Sequence, residues 1–187
     1  MKKKELIVLL LIIGAAAFVR IYRWQRPLAD WHSWRQADTA SVTRRYAQEG
    51  IDLLYPKYHD LSNIPSGKEN PQGYRMVEFP FINALVAVLF NATSSFQTLE
   101  IHVFSRLISI LFSLGSALTI YAITKHLTST KAALISTFIF SFLPYNIFYS
   151  TTVLPEIPLV FFLLTATFFW IRYSEKLKPT DLFVFAI

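Results

Sequence analysis

The chain has 187 residues, of which 53% are hydrophobic and 16% aromatic, and its apolar residues are grouped in long blocks. This pattern is typical of an integral membrane protein and argues against a soluble domain. The absence of cysteine excludes disulfides and thiolate chemistry, and the net charge of +6 lies largely beside the apolar blocks, where Lys and Arg anchor to lipid headgroups rather than to nucleic acid.

The apolar blocks predict the membrane-spanning helices. A helix needs about 20 residues to cross a hydrocarbon core of about 30 Å, so the short block at residues 79–91 is predicted to lie along the membrane surface. A cleavable signal peptide is the alternative for the first block, but its apolar run continues to Ile21, which favours an uncleaved anchor. The four predicted spans cover approximately residues 5–23, 104–124, 132–150 and 155–172.

The basic residues predict the orientation. With residues 79–91 at the surface, Lys2–Lys4, the turn at 125–131 and the loop at 172–178 all fall on one side, which the positive-inside rule makes cytoplasmic. The fold prediction is an all-α polytopic membrane protein with four transmembrane helices, an interfacial helix and a large extracytoplasmic first loop, residues 24–103. Because the chain ends within a further apolar block, we expect it to be truncated before a fifth span.

The first loop opens with a dense run of charged, polar and aromatic side chains. Asp38 or Thr39 is predicted to cap a helix that ends near Glu49, with Gly50 as its stop. The turn-forming residues between positions 51 and 75 predict a loop without regular elements.

Asp38 is the main candidate for a catalytic residue. A carboxylate with a pKa of about 3.9 is ionised at neutral pH and can accept a proton from an incoming hydroxyl as a general base. The alternative is that Asp38 only caps its helix. Asp30 is the second candidate, although its position after Pro27 favours a turn residue.

Basic and aromatic residues are candidates for binding a phosphorylated sugar. A guanidinium fork suits phosphate, and an indole face can stack on a sugar ring. The alternatives are a headgroup-anchoring surface, an interfacial Trp belt and, for the acidic candidates, compensation of a helix dipole. The candidate substrate-binding residues are Arg35, Arg106, Trp34, His32, Glu78 and Glu156, and Arg44, Arg45, Lys57 and Arg75 are further candidates for phosphate contacts.

Three acidic side chains, Asp38, Glu78 and Glu156, are predicted on one face of the membrane. Carboxylate oxygens are the ligands that a divalent cation prefers, but no spacing here requires a metal. His32 and His59 lack the pattern of a zinc site. The sequence therefore predicts no certain cofactor and leaves a divalent cation as an alternative.

A series of features in chain order carries a family resemblance. They are the Lys-rich anchor, Asp38 in a first-loop helix, Glu78-Phe79-Pro80, Arg106-Leu107-Ile108-Ser109, Gly115, Tyr121, Tyr145-Asn146 and Leu154-Pro155-Glu156. This order resembles the N-terminal part of the C-type membrane glycosyltransferases, in the family that holds the protein O-mannosyltransferases and the lipid A aminoarabinose transferases. The similarity covers nearly the whole chain.

The resemblance implies inverting transfer of a sugar from a polyprenyl-phosphate donor to a hydroxyl of an acceptor protein, lipid or glycan, on the extracytoplasmic face of the plasma membrane. It implies Asp38 as the base and Arg106 as a contact to the departing phosphate. Members often carry Lys where this chain has Glu78, so one phosphate contact differs. Since the family continues for many more spans, we expect these 187 residues alone to be inactive.

A membrane transporter is the main alternative function, because ionisable residues near helix ends also mark substrate pathways. The acidic and aromatic groups are concentrated in one long loop, which favours the enzyme. A non-catalytic membrane assembly subunit is the third hypothesis, and it leaves the region of Asp38 without a purpose. The sequence does not identify the sugar or the acceptor.

Overall fold

The computed structural model describes residues 3–22, 24–64, 66–93 and 99–186. The predicted contributions of Lys2 to the charge pattern, of Pro65 to the turns and of position 23 to the first span lie outside the described residues. The described ranges contain no β-strand, only an isolated antiparallel bridge between Lys57 and Tyr74, so the all-helical prediction is confirmed. The helices are α1 Lys3–Ile21, α2 Ser33–Glu49, α3 Phe81–Ala92, α4 Ile101–Leu127, α5 Thr130–Phe142, α6 Pro144–Tyr149, α7 Glu156–Lys176 and α8 Pro179–Ala186.

Among the described residues, two helices are long and apolar enough to cross a membrane, α4 with 27 residues and α7 with 21 residues. Helix α1 has 19 residues but carries charged side chains near both ends, from Lys3 to Glu5 and at Arg20. Helix α3 is short and apolar, as expected of the segment predicted at the surface. The total of four spans therefore stays a prediction.

The helix predicted over residues 132–150 is not continuous. Helix α5 ends at Phe142, Leu143 has a non-helical ψ of 124°, and α6 begins at Pro144. Proline has no N–H to donate, and its ring disfavours the helical conformation of the residue before it. The helix is therefore interrupted at Leu143, and α5 alone would extend only about 20 Å. The span over residues 132–150 stays a prediction.

The first-loop helix is longer than the sequence predicts. Helix α2 begins at Ser33 because His32 takes a left-handed conformation, with φ of 59°, and forms its N-cap. Asp38 therefore lies inside the helix, and its predicted capping role is wrong. The predicted end is confirmed, since α2 stops at Glu49 and Gly50 has a φ of 98°, which favours glycine.

The described residues form two compact units. The first, which we call the helical unit, contains the described residues of Met1–Arg23, Ser109–Thr151 and Pro155–Ile187. The second, which we call the loop unit, contains those of Trp24–Ile108 and Thr152–Leu154. The loop unit thus includes the whole predicted outer loop with α2 and α3.

In the helical unit, α1 packs against α5 and α6, and α7 packs against α8. Leu9 and Tyr121 are part of its buried apolar cluster. Arg20 is fully buried. Its Nη1 donates to the carbonyl oxygens of Ala16 and Ser141, each at 3.0 Å. These bonds tie the end of α1 to α5.

The contact between α4 and α7 leads to a stability prediction. A Cβ added at Gly115 would lie 2.7 Å from the ring of Phe161, which also packs on Phe112 with ring centroids 5.3 Å apart. We expect Gly115→Ala to lower the free energy of unfolding by about 1–3 kcal/mol, because the ring must move out of a packed position. Thermal unfolding of the detergent-solubilised protein measures this change.

Gly14 in α1 provides the matched control. A Cβ there would meet no atom within 4 Å, and alanine is the better helix former by about 0.5–1 kcal/mol, so Gly14→Ala should raise the unfolding temperature slightly. Equal effects of Gly14→Ala and Gly115→Ala would contradict the prediction.

Candidate functional site

In the loop unit, α2 and α3 pack against each other and hold the candidate site between them. Val42, Tyr46 and Ala87 belong to the shared apolar core. Asn83 of α3 adds polar contacts, since its Nδ2 donates to the carbonyl oxygen of Thr39 at 2.8 Å and to Oγ1 of Thr43 at 2.9 Å. The face of α2 that carries Asp38 is therefore fixed relative to α3.

A small cleft opens on this face, which we call the Asp38 cleft. Its volume is about 20 Å³, room for about one water molecule. The structure thus places three of the predicted candidate residues, Asp38, Arg75 and Glu78, in one cleft. Its lining residues are Asp38, Thr39, Val42, Arg75, Val77, Glu78, Pro80 and Asn83.

Asp38 forms an ion pair with Arg75, whose Nη2 lies 3.0 Å from Oδ2 of the carboxylate. Partial burial raises the pKa of Asp38, the charge of Arg75 opposes the rise, and the nearby carboxylate of Asp60 adds to it. The net effect is a pKa above the ordinary value for Asp, which makes the carboxylate a stronger base. Arg75 was only one of several basic candidates in the sequence, and the structure singles it out.

The ion pair gives a pH prediction. Because Arg75 lowers the pKa of Asp38, Arg75→Gln should raise that pKa further. A general base works only when deprotonated, so the acid limb of the pH–rate profile of an active protein containing this chain should move to higher pH.

The control for this shift is Arg45→Gln. Arg45 pairs with Glu49 at the far end of α2 and does not line the Asp38 cleft, so its removal should leave the profile unchanged. A shift of the Arg75→Gln profile to lower pH, or none, would contradict the prediction.

Glu78 is paired with Arg35. The Nε of Arg35 donates to Oε1 of Glu78 at 3.1 Å, and its Nη2 contacts the same oxygen. The two side chains are 30% and 33% exposed, so the pair is accessible from solvent. Arg35 is thus engaged by a carboxylate, and its predicted phosphate contact requires that pair to open.

Arg106 is fully buried near the start of α4. Its guanidinium donates to three backbone carbonyl oxygens, those of Trp24 and Pro27 at 3.2 Å and that of Arg26. In this structure Arg106 therefore holds the segment that precedes α2. Its predicted contact to phosphate stays a prediction.

Sequence reasoning missed Gln36, which is fully buried. Its Nε2 donates to Oδ1 of Asp30 at 2.6 Å and to the carbonyl oxygen of Trp31 at 3.0 Å, and its Oε1 accepts from the N–H of Val153 at 3.1 Å. Asp30 also pairs with Arg26 at 2.7 Å. Gln36 and Asp30 thus join the start of α2 to two other segments of the loop unit. The sequence gives no signal for this role, because one partner of Gln36 is Val153, far along the chain.

The remaining candidates lie elsewhere. Trp34 is 64% exposed, and His32 is exposed with its ring edge-on to Trp31. Glu156 lies in the first turn of α7, in the helical unit, where the positive end of the helix dipole favours a carboxylate. Within the described ranges, no group of three His, Cys, Asp or Glu side chains is arranged to hold a metal ion, so the divalent-cation alternative gains no support.

The comparison with protein families decides the class of the protein. A family model described as dolichyl-phosphate-mannose-protein mannosyltransferase matches residues 77–187, which is more than half of the chain. The chain belongs to this family. No curated protein and no solved structure matches the chain.

Membership in the mannosyltransferase family confirms the resemblance and makes the chain a member of a family of membrane-integral glycosyltransferases. It favours the enzyme over the transporter and the assembly subunit. The matched region includes Glu78, Arg106 and Glu156 but begins after Asp38. The assignment of Asp38 therefore depends on the geometry of the loop unit and on its place in the chain.

Proposed function

We propose that the protein transfers a sugar from a polyprenyl-phosphate donor to an acceptor hydroxyl with inversion at the anomeric carbon, and that Asp38 is the general base. The observation that carries the proposal is the ion-paired, partly buried carboxylate of Asp38 in a cleft of a chain that belongs to a mannosyltransferase family. Its pKa lies above the ordinary value, which makes the carboxylate a stronger base than an ordinary Asp.

The transfer replaces one bond at the anomeric carbon with another. The acceptor oxygen attacks the anomeric carbon while its proton passes to the carboxylate of Asp38. The bond from that carbon to the phosphate oxygen breaks, and polyprenyl phosphate leaves with the electron pair. Because a lipid holds the donor at the membrane surface, part of the entropy cost of bringing the substrates together is already met.

A cationic group near the departing phosphate would stabilise the charge that develops on it. Arg35 is better placed for this role than Arg106, because the side chain of Arg35 is 30% exposed whereas Arg106 is fully buried. Arg35 must leave Glu78 to reach a phosphate, and a bound anion would compete with that carboxylate for the guanidinium.

The proposal is tested by transfer of radiolabelled sugar from a panel of polyprenyl-phosphate donors in reconstituted membranes, with an active protein that contains this chain. We expect labelled product of inverted configuration, and parallel reactions with chelator test the need for a divalent cation. Movement of label across the membrane without a covalent product would support the transporter instead.

The proposed site lies on the extracytoplasmic face of the plasma membrane, and the N-terminus lies in the cytoplasm. Because the chain has no cysteine, single cysteines can test this arrangement. An impermeant maleimide added to intact cells should label Gln48→Cys, at the exposed end of α2, but not Lys131→Cys, an exposed position in the first turn of α5. The reverse labelling pattern would place the site on the cytoplasmic face and contradict the proposal.

A further inference from the structure

Asp38 also lines a second and much larger cleft of the loop unit, which we call the His59 cleft. Its volume is about 350 Å³, compared with about 20 Å³ for the Asp38 cleft. Small-molecule sites typically have volumes of about 300–1,000 Å³, so of these two clefts the His59 cleft is the one large enough to admit a substrate group to Asp38. Its lining includes Asp38, Ser41, Arg44, His59, Asp60 and His102.

The charges in the His59 cleft disfavour an anionic ligand. Asp60 accepts a hydrogen bond from the N–H of Ser62 at 2.8 Å, and bonds from Ser62 hold the pKa of Asp60 below its ordinary value. Two carboxylates, Asp60 and Asp38, line the cleft. The charge of Asp38 is shared with Arg75 at 3.0 Å and that of Arg44 with Glu100 at 3.4 Å, so the carboxylate of Asp60 gives the cleft its net negative charge. This charge disfavours a phosphate group and does not act against a neutral hydroxyl compound.

His59 is held in a fixed orientation by Ser41. The Oγ of Ser41 accepts from the backbone N–H of His59 at 2.8 Å and lies 2.6 Å from its ring Nδ1. When the hydroxyl of Ser41 donates to Nδ1, the ring proton is on Nε2, and Nε2 is then a hydrogen-bond donor.

We propose that the His59 cleft binds the acceptor substrate as a neutral, hydroxyl-bearing group, with Nε2 of His59 donating to an acceptor oxygen while Asp38 receives the proton of the attacking hydroxyl. This inference rests on the proposed function. The cleft then separates the substrates by charge, since the anionic donor must approach Asp38 from elsewhere.

The test is steady-state kinetics of His59→Ala with donor and acceptor varied separately. We expect the KM for the acceptor to rise by about 5- to 10-fold, because one hydrogen bond to the acceptor is lost. The KM for the donor should stay unchanged. His59→Gln should recover part of the loss, because its amide can donate. The control is His126→Ala at the end of α4, where the ring pairs with Glu175 at 2.7 Å.

Ser41→Ala provides a second variant that leaves the ring in place. Without the Oγ contact the imidazole is free to rotate, so the KM for the acceptor should rise by about two- to threefold. An unchanged KM for the acceptor in both His59→Ala and Ser41→Ala, or a raised KM for the donor, would overturn the inference and leave the proposed function standing. Absence of transfer by the unchanged protein would overturn both.

Neutralising Asp60 tests whether the His59 cleft selects a neutral acceptor. The unchanged protein should prefer the methyl ester of an acceptor over the same acceptor with a free carboxylate, and Asp60→Asn should reduce this preference by about two- to threefold at low ionic strength. If Asp60→Asn leaves the preference as it was, the carboxylates do not select a neutral acceptor and the inference fails.

Discussion

Replacing Asp38 by Asn is expected to lower the rate of sugar transfer by at least about 100-fold, because Asn has nearly the same shape but cannot take up the acceptor's proton. The loss of the ion pair to Arg75 should cost little stability, since both side chains are partly exposed and such pairs contribute at most about 1 kcal/mol. Initial rates with a radiolabelled donor, normalised to protein in the membrane, measure the effect.

Glu49→Gln is the control for Asp38→Asn, because it neutralises another acidic side chain of α2. Glu49 is the last residue of the helix and pairs with Arg45, outside the Asp38 cleft. Its variant should keep nearly the full rate. If Asp38→Asn also kept it at equal expression, the base would have to be a different residue.

Local signals allowed part of this fold to be predicted. The end of α2 was predicted from Gly50 as a typical helix stop, and the structure gives that residue a φ of 98°, which favours glycine. The short apolar segment of α3 was evident from its length. The start of α2 was predicted too late, because no residue type announces the left-handed conformation of His32. The break between α5 and α6 coincides with Pro144, a residue type that interrupts helices.

The candidate site was predictable in its residue types but not in its pairing. Asp38 could be recognised as a carboxylate in a loop rich in basic and aromatic groups. Its partner Arg75 lies at the far end of a loop without regular elements, where no periodicity relates one position to another. Arg35 and Glu78 also pair across a long sequence separation, so only the packing of the loop unit shows which charges neutralise each other.

Removing the Arg106 side chain is expected to have a large effect on stability. Its predicted role is a contact to phosphate, whereas its observed contacts are to backbone carbonyl oxygens. Arg106→Ala would leave the carbonyl oxygens of Trp24, Arg26 and Pro27 without their donor. Each carbonyl that water does not reach would then cost about 1–3 kcal/mol of stability. We therefore expect a loss of about 3 kcal/mol or more in the free energy of unfolding. Thermal unfolding in detergent should show it as a clear drop in the transition temperature.

Two further variants separate the two roles of Arg106. Arg106→Lys keeps the charge but loses the planar fork that serves several carbonyls, so it should remain well below the unchanged protein in stability. Arg45→Ala removes only an exposed helical ion pair, worth about 0.3–0.5 kcal/mol, and controls for loss of charge. If Arg106→Ala instead unfolded at the normal temperature and raised the KM for the donor, the guanidinium would act on the phosphate as the resemblance implies, and the carbonyl contacts would describe only the state without donor.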